Sequence, residues 1–254
     1  CAIIKNLIID DEKLREIIRL QEKLHITYGR SRKKCAIGIY ALEKIKFPIT
    51  YKAEIPEKIR FRPLDSKQEM AARQILSEHK TGKEFGHLLE GLAKFPFSID
   101  ANKQVLSMPP IINSETVGRV TTETKNLFIE CSGFDFEVLS IALNMVVTSL
   151  ADMGGEIYAL ELVYSDSTRL TPNLQPSRMK LDLNYANKRL GLKLNLAKAR
   201  ELLERMGFGY EQEDVLIPAY RADILHQVDL IEDIAIAYGY EHFQEEIPNM
   251  ATIG

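Results

Sequence analysis

Two settings in the 254-residue chain place carboxylates and hydroxyls where they could do chemistry. The first is Asp223, Asp229, Glu232 and Asp233. The last three stand at i, i+3 and i+4, so a helix beginning at Val228 carries them on one face, and Asp223 is near enough in sequence to fold back across it. Hard oxygen donors of this kind suit Mg²⁺, which takes carboxylates and waters and often a second contributing surface. A plainer reading competes: Asp229 as N-cap, Glu232 as its capping-box partner, and Asp233 as a first-turn acid facing the helix dipole. The second setting is the segment VLSMPPIINSETVGRVTTETKNLFIECSG, residues 105–133. It carries Ser107, Asn113, Thr124, Asn126 and Glu130 between two apolar runs. A polar segment held between strands is a common design for a binding surface, and equally a solvated loop whose side chains close local turns. His87, in EFGH, reads as a general base, a substrate ligand or a satisfied half-buried side chain.

The elements that must hold these groups follow from spacing. Pro109 and Pro110 end the run Val105, Leu106, Met108, because neither can donate to a ladder. Leu127 to Cys131 reads as a strand, with Glu130 on either its inner or its outer face. Asp10 and Asp11 open an amphipathic helix over residues 11–28, Cys35 to Tyr40 reads as a buried strand, and residues 47–55 alternate as another. Ser66 with Glu69 forms a capping-box signature for a helix ending before Gly82, with His79 in its last turn. Asp135 caps a helix running to Met153, followed by a strand over residues 157–164. Residues 1–164 are therefore expected to form a mixed α/β domain and residues 165–178, rich in small polar residues and proline, a linker. Residues 179–254 are expected to form a small α+β module with a helix capped by Asn195. The fold class is α+β.

Bulk properties narrow the choice. Hydrophobic residues make up 45% and charged residues 27%, which is ordinary for a soluble globular chain. No apolar run reaches the roughly 18–20 residues that span a bilayer, and Cys1-Ala2-Ile3-Ile4 lacks the form of a signal peptide. No membrane association is expected. The chain does not open on Met, which suggests a piece of a longer one. Three cysteines without CxxC spacing argue against a disulfide framework or zinc, and fit a cytoplasmic location. A net charge of −3 leaves any nucleic-acid contact to a local basic patch.

LSMPPIINS, then GRVTTET, then NLFIECSG resembles the editing domain of the phenylalanyl-tRNA synthetase β subunit, in its archaeal and eukaryotic form. The resemblance extends upstream through RSRKKCAIGIYALEKIKFPITY and downstream through PAYRADILHQVDLIEDIAIAYGY. It implies an editing domain followed by a small module sometimes likened to a winged helix. The implied activity is hydrolysis of mischarged Tyr-tRNA(Phe), within an enzyme that charges tRNA(Phe) using ATP. The ATP site belongs to the α subunit, the partner in a heterotetramer of two α and two β subunits. A pocket made for phenylalanine rejects an analogue that only adds a hydroxyl by roughly 10²-fold, so a separate hydrolytic sieve for tyrosine is expected.

By resemblance, recognition or hydrolysis falls to Glu130, Ser107 and Ser98, with His87 and Thr124 as further candidates. Asn113, Asn126, Arg30, Arg32, Lys33 and Lys34 become candidates for substrate or tRNA contact, the basic cluster being otherwise a solubilising turn. Asp223, Asp229, Glu232 and Asp233 become ligands of an Mg²⁺ shared with the α subunit. No Ser-His-Asp spacing supports an acyl-enzyme, which leaves attack by a positioned water, with backbone N–H groups near residues 110–113 polarising the ester carbonyl. The other reading is a non-catalytic scaffold that docks the α subunit and positions tRNA.

Overall fold

The computed structural model describes residues 1–244; the end of the expected second module, residues 245–254, lies outside them. The chain forms two units, Cys1–Asn173 and Leu174–Gly254. In order, the first contains β1 (Ala2–Lys5), α1 (Asp11–Ile26), β2 (Ala36–Ala41), β3 (Thr50–Glu54), β4 (Arg60–Phe61) and β5 (Met70–Ala71). It continues with α2 (Ala72–Glu78), α3 (Lys80–Phe85), β6 (Phe95–Ile99), β7 (Val105–Met108), β8 (Ile112–Asn113) and α4 (Glu115–Gly118). It closes with β9 (Leu127–Ser132), α5 (Phe136–Asp152), β10 (Glu156–Val163) and β11 (Thr168–Thr171).

Alternation along the strands builds two layers. The larger sheet has the order β11-β10-β1-β9-β2, and all four of its pairings are antiparallel. Ala2, Ile4, Ile37, Ile39, Leu127 and Ile129 meet the buried residues of α1 and α5, such as Ile17, Leu143 and Val147. The alternate residues Tyr40 and Phe128 turn the other way, onto Leu106 of β7 and Val117 of α4. That second face is covered by the sheet β3-β6-β7-β8. Behind the smaller sheet, Phe95, Phe97 and Met108 pack with Ile59, Phe61 and Ile75. Asp10 and Asp135 cap α1 and α5 as expected, each accepting from first-turn N–H groups.

Three expectations are corrected here. Ser66 opens no helix: its hydroxyl donates to the Gln68 carbonyl and accepts from the Gln68 N–H. That local turn removes the cap, Met70 and Ala71 pair with β4, and α2 begins only at Ala72. His79 is not in the last turn of one helix but caps the next, accepting from Thr81 N at 3.2 Å. The expected linker is also partly structured, since residues 168–171 form β11 on the edge of β10, with Thr171 buried.

The second unit contains β12 (Ser177–Lys180), α6 (Leu183–Leu190), α7 (Leu196–Arg205), β13 (Gly209–Glu211), β14 (Asp214–Ile217) and α8 (Gln227–Tyr238). Its sheet runs β12-β14-β13. Leu202, Leu203, Val215, Ile217, Leu230 and Ile234 form its core. Asp182 and Asn195 cap α6 and α7, and Gly191 and Gly207 stop them with φ of 68° and 85°.

Candidate active site between two sheets

Glu130 is only 7% exposed, so the outer-face alternative for this acid is excluded. It lies on the Phe128 face of β9, where the two sheets meet, and three hydroxyls converge on its carboxylate. Ser107 donates to Oε1 at 3.0 Å and Ser98 to Oε2 at 3.0 Å. Tyr40, wholly buried, donates to Oε1 at 2.8 Å. A buried carboxylate without such donors would cost several kcal/mol, about the penalty for an uncompensated buried ion. The hydroxyl ring is what allows Glu130 to remain there.

The smaller sheet aligns its donors by register. Tyr51 pairs with Ser98, Ser98 with Ser107, and Ser107 with Asn113, so one polar row crosses all four strands. The register slips between Ser98/Ser107 and Ile99/Val105. Such a bulge lets consecutive residues serve one face. Leu106 therefore packs on Tyr40 and Phe128 while Ser107 still reaches Glu130. Asn113 is held loosely: its Nδ2 is 3.4 Å from the Ile39 carbonyl, and the Tyr40 hydroxyl is 3.4 Å from its Oδ1.

Glu130, Ser107, Asn113 and Gly38 form part of the wall of a cavity of about 380 Å³. Glu22, His25 and Arg32 form another part, and His79 a third. Glu22 Oε1 meets His25 Nδ1 at 3.4 Å and Arg32 Nη2 at 3.3 Å. The His25 contact, seconded by the Arg32 charge, holds the Glu22 carboxyl below the usual range against the opposing effect of burial. His25 Nε2 accepts from Ile37 N at 2.8 Å, on the outer edge of β2, and Gln21 donates to the Ile37 carbonyl. His79 Nε2 lies 3.0 Å from the Leu64 carbonyl while its Nδ1 caps α3. Both histidines thus have both ring nitrogens engaged, and neither is bonded to a serine.

Other expected site residues lie elsewhere. His87 is exposed, its Nδ1 beside the Glu84 carbonyl, on a separate depression lined by Leu76, Lys83 and Leu92. Thr124 accepts from Thr121 N in a local turn, and Asn126 is half-buried and bonded to Glu43. Arg30, Lys33 and Lys34 are exposed, but Arg32 turns inward. Its Nη1 donates to the Pro110 and Ile111 carbonyls at 3.3 and 2.8 Å, and its guanidinium stacks over Phe85 at 4.1 Å. Left-handed backbone at Arg30, Ser31 and Arg32, with φ of 48°, 54° and 65°, makes this reversal. The backbone donors expected at residues 110–113 are also reduced: proline has no N–H, and Ile111 N is spent on the Met108 carbonyl at 2.8 Å.

Sequence reasoning missed Tyr40, because it ends a run that reads simply as buried strand. One signal was available. Gly38 faces Glu130 in register, and a Cβ there would collide with the Tyr40 hydroxyl. A glycine inside a strand marks such a close approach.

In the second unit the four acids do not converge. Asp223 and Asp233 both bind Arg221, which donates to them at 2.6–2.8 Å. Arg221 is the largest cause holding the Asp223 carboxyl low. Asp229 Oδ2 accepts from Leu225 N and His226 N, in a capping box whose N-cap is His226 rather than Asp229. Glu232 is exposed. Among the described residues no group of three or more His, Cys, Asp or Glu is placed to hold a metal. The oxygens of Asp223 and Asp233 are committed to an arginine and those of Asp229 to backbone donors, so the chain alone does not fit a magnesium ion.

Residues 179–240 match the family model described as the tRNA synthetase B5 domain. The β-subunit crystal structure of an N-terminal fragment of phenylalanyl-tRNA synthetase from Pyrococcus horikoshii superposes with a TM-score of 0.90 at 45% identity, over 94% of this chain and 70% of that one. The phenylalanine–tRNA ligase beta subunits of Thermococcus sibiricus and Pyrococcus abyssi are 44% and 45% identical over the whole chain, which spans 46% of each relative. These matches define a component of an aminoacyl-tRNA synthetase. The chain belongs to the phenylalanyl-tRNA synthetase β-subunit family.

Proposed function

We propose that the first unit hydrolyses the ester of tyrosine wrongly attached to tRNA(Phe), as one part of a β subunit whose complex with an α subunit charges that tRNA. The observation that carries this reading is Glu130: a buried carboxylate, ringed by hydroxyls, at the wall of a cavity large enough for an amino acid. An acceptor so placed favours a ligand bearing a phenol over one with a bare ring. A site built to hydrogen-bond a substrate hydroxyl discriminates strongly, because its polar group goes unpaired with the analogue.

The chemistry assigned to the ester is direct attack by water. Ser98 and Ser107 are committed as donors to Glu130, and the wall histidines His25 and His79 have no free nitrogen to take a serine proton. Asn113, whose amide is held only by 3.4 Å contacts, is the group to turn toward the ester or the terminal ribose. The exposed Arg30, Lys33 and Lys34 supply phosphate contacts at the end of α1. In the second unit, an ion shared with an α subunit requires Arg221 to release Asp223 and Asp233, and no step is assigned to one.

Incubation of the chain with tyrosylated tRNA(Phe) tests the reading. Release of tyrosine should exceed the spontaneous rate by at least about 10²-fold, the scale of a positioned catalytic site, and should fall to background in Glu130→Ala. A wild-type rate equal to the spontaneous one, with tRNA still bound, favours a docking scaffold instead.

A further inference from the structure

The ring of donors around Glu130 is asymmetric. A carboxylate offers about four acceptor positions, two on each oxygen. Tyr40 and Ser107 fill both positions on Oε1, and Ser98 fills one on Oε2. Among the described residues no donor takes the second position on Oε2. Tyr40 is the shortest of the three contacts and the only one from the sheet that carries Glu130 itself. Its one proton goes to the carboxylate at 2.8 Å and not to Asn113 at 3.4 Å. Its ring packs on Phe128 with centroids 5.7 Å apart, and its hydroxyl lies over Gly38, where any Cβ would displace it. Burial and the Glu130 charge push the Tyr40 phenol well above its ordinary range, so it stays a donor at every working pH.

We propose that Tyr40 is a specificity-determining positioning residue: by occupying Oε1 of Glu130 it holds the carboxylate in the orientation that presents Oε2 to a ligand's phenol. This rests on the reading that Glu130 receives that phenol. Tyr40 itself touches no substrate. It is an internal phenol, and it fixes where a second one can bind.

The test is calorimetric binding of two probes, L-tyrosinamide and L-phenylalaninamide, to the whole chain. The wild type should prefer tyrosinamide. Tyr40→Phe keeps the ring and should weaken tyrosinamide about tenfold, one charged hydrogen bond's worth, while phenylalaninamide stays within about twofold. Gly38→Ala retains the hydroxyl but displaces it, and should lose the same preference. Both variants are first checked for an intact melting transition. Equal weakening of both probes by Tyr40→Phe makes the residue merely structural, and an unchanged preference removes its role; either result overturns the proposal. A preference kept in Tyr40→Phe but lost in Glu130→Gln overturns only the claim about Tyr40. A wild type that binds the two probes alike overturns the phenol reading and this inference together.

Discussion

Glu130 is stable in the interior only because its neighbours donate to it, so each donor should be visible in stability as well as in recognition. Ser107→Ala removes one of two donors to Oε1 without leaving a cavity larger than a hydroxyl. A hydrogen bond to a charged group contributes roughly 1.5–3 kcal/mol, so the variant should lose about 2 kcal/mol in a urea titration. A loss within about 0.5 kcal/mol, the range of ordinary surface substitutions, would mean that the Ser107 hydroxyl contributes little to holding the acid. Much of this site was legible in the sequence. An acid in the middle of LFIEC, a serine ahead of two prolines and an asparagine beyond them all come together. What could not be read was direction. Glu130 inside and Glu130 outside fit the same alternation, and Leu106 and Ser107 share a face only because a bulge breaks that alternation. Arg32 looked like one member of a basic surface cluster, and only the left-handed turn at residues 30–32 sends it inward.

Between elements, the joints are made by few residues. Glu22 on α1 meets His25 of the same helix and Arg32, and Arg32 in turn holds the carbonyls at the β7–β8 turn. Glu22 is held below its ordinary pKa chiefly by His25. Its folded value is therefore lower than its unfolded one, and the stability it contributes is fully present above the unfolded value. That contribution disappears as pH falls through the lowered folded value. Denaturation midpoints of the wild type and Glu22→Gln should differ at neutral pH and converge in acid; curves that stay parallel would refute the assignment. In the second unit, α8 begins with a reciprocal cap in which Asp229 takes the His226 and Leu225 N–H groups. Asp229→Ala should cost about 1 kcal/mol, the usual worth of a helix cap, and adding or chelating magnesium should not move the melting temperature of either form. A magnesium-dependent rise in wild type, absent in Asp229→Ala, would show that the acids gather around an ion after all. The acid spacing in sequence admitted both a cap and a metal; what it does not show is Arg221, two residues before Asp223, which binds two of the four acids.

For the chain taken whole, the position of the boundary between the two units follows from which sheet edge needs covering. Composition alone places a break at residues 165–178, because prolines and small polar residues cluster there. Hydrogen bonding puts part of that stretch inside the first unit. β11 pairs with β10 from Leu160↔Thr171 to Val163↔Thr168, and the Thr171 hydroxyl donates to the Cys1 carbonyl at 2.7 Å. Leucine, valine and threonine on β10 and β11 do not by themselves say whether they pair, since an edge strand this short is half exposed and its pattern is weak. The consequence is measurable. A fragment ending at residue 173 should fold, melt in one transition and keep its binding of L-tyrosinamide. A fragment ending at residue 164 leaves Leu160–Val163 of β10 without a partner strand and removes the buried Thr171, and unpaired edges of that kind invite association. It should melt lower and form oligomers in sedimentation. Equal melting temperatures and a clean monomer for the shorter fragment would show that β11 adds nothing to the first unit and that the compositional break is the true boundary.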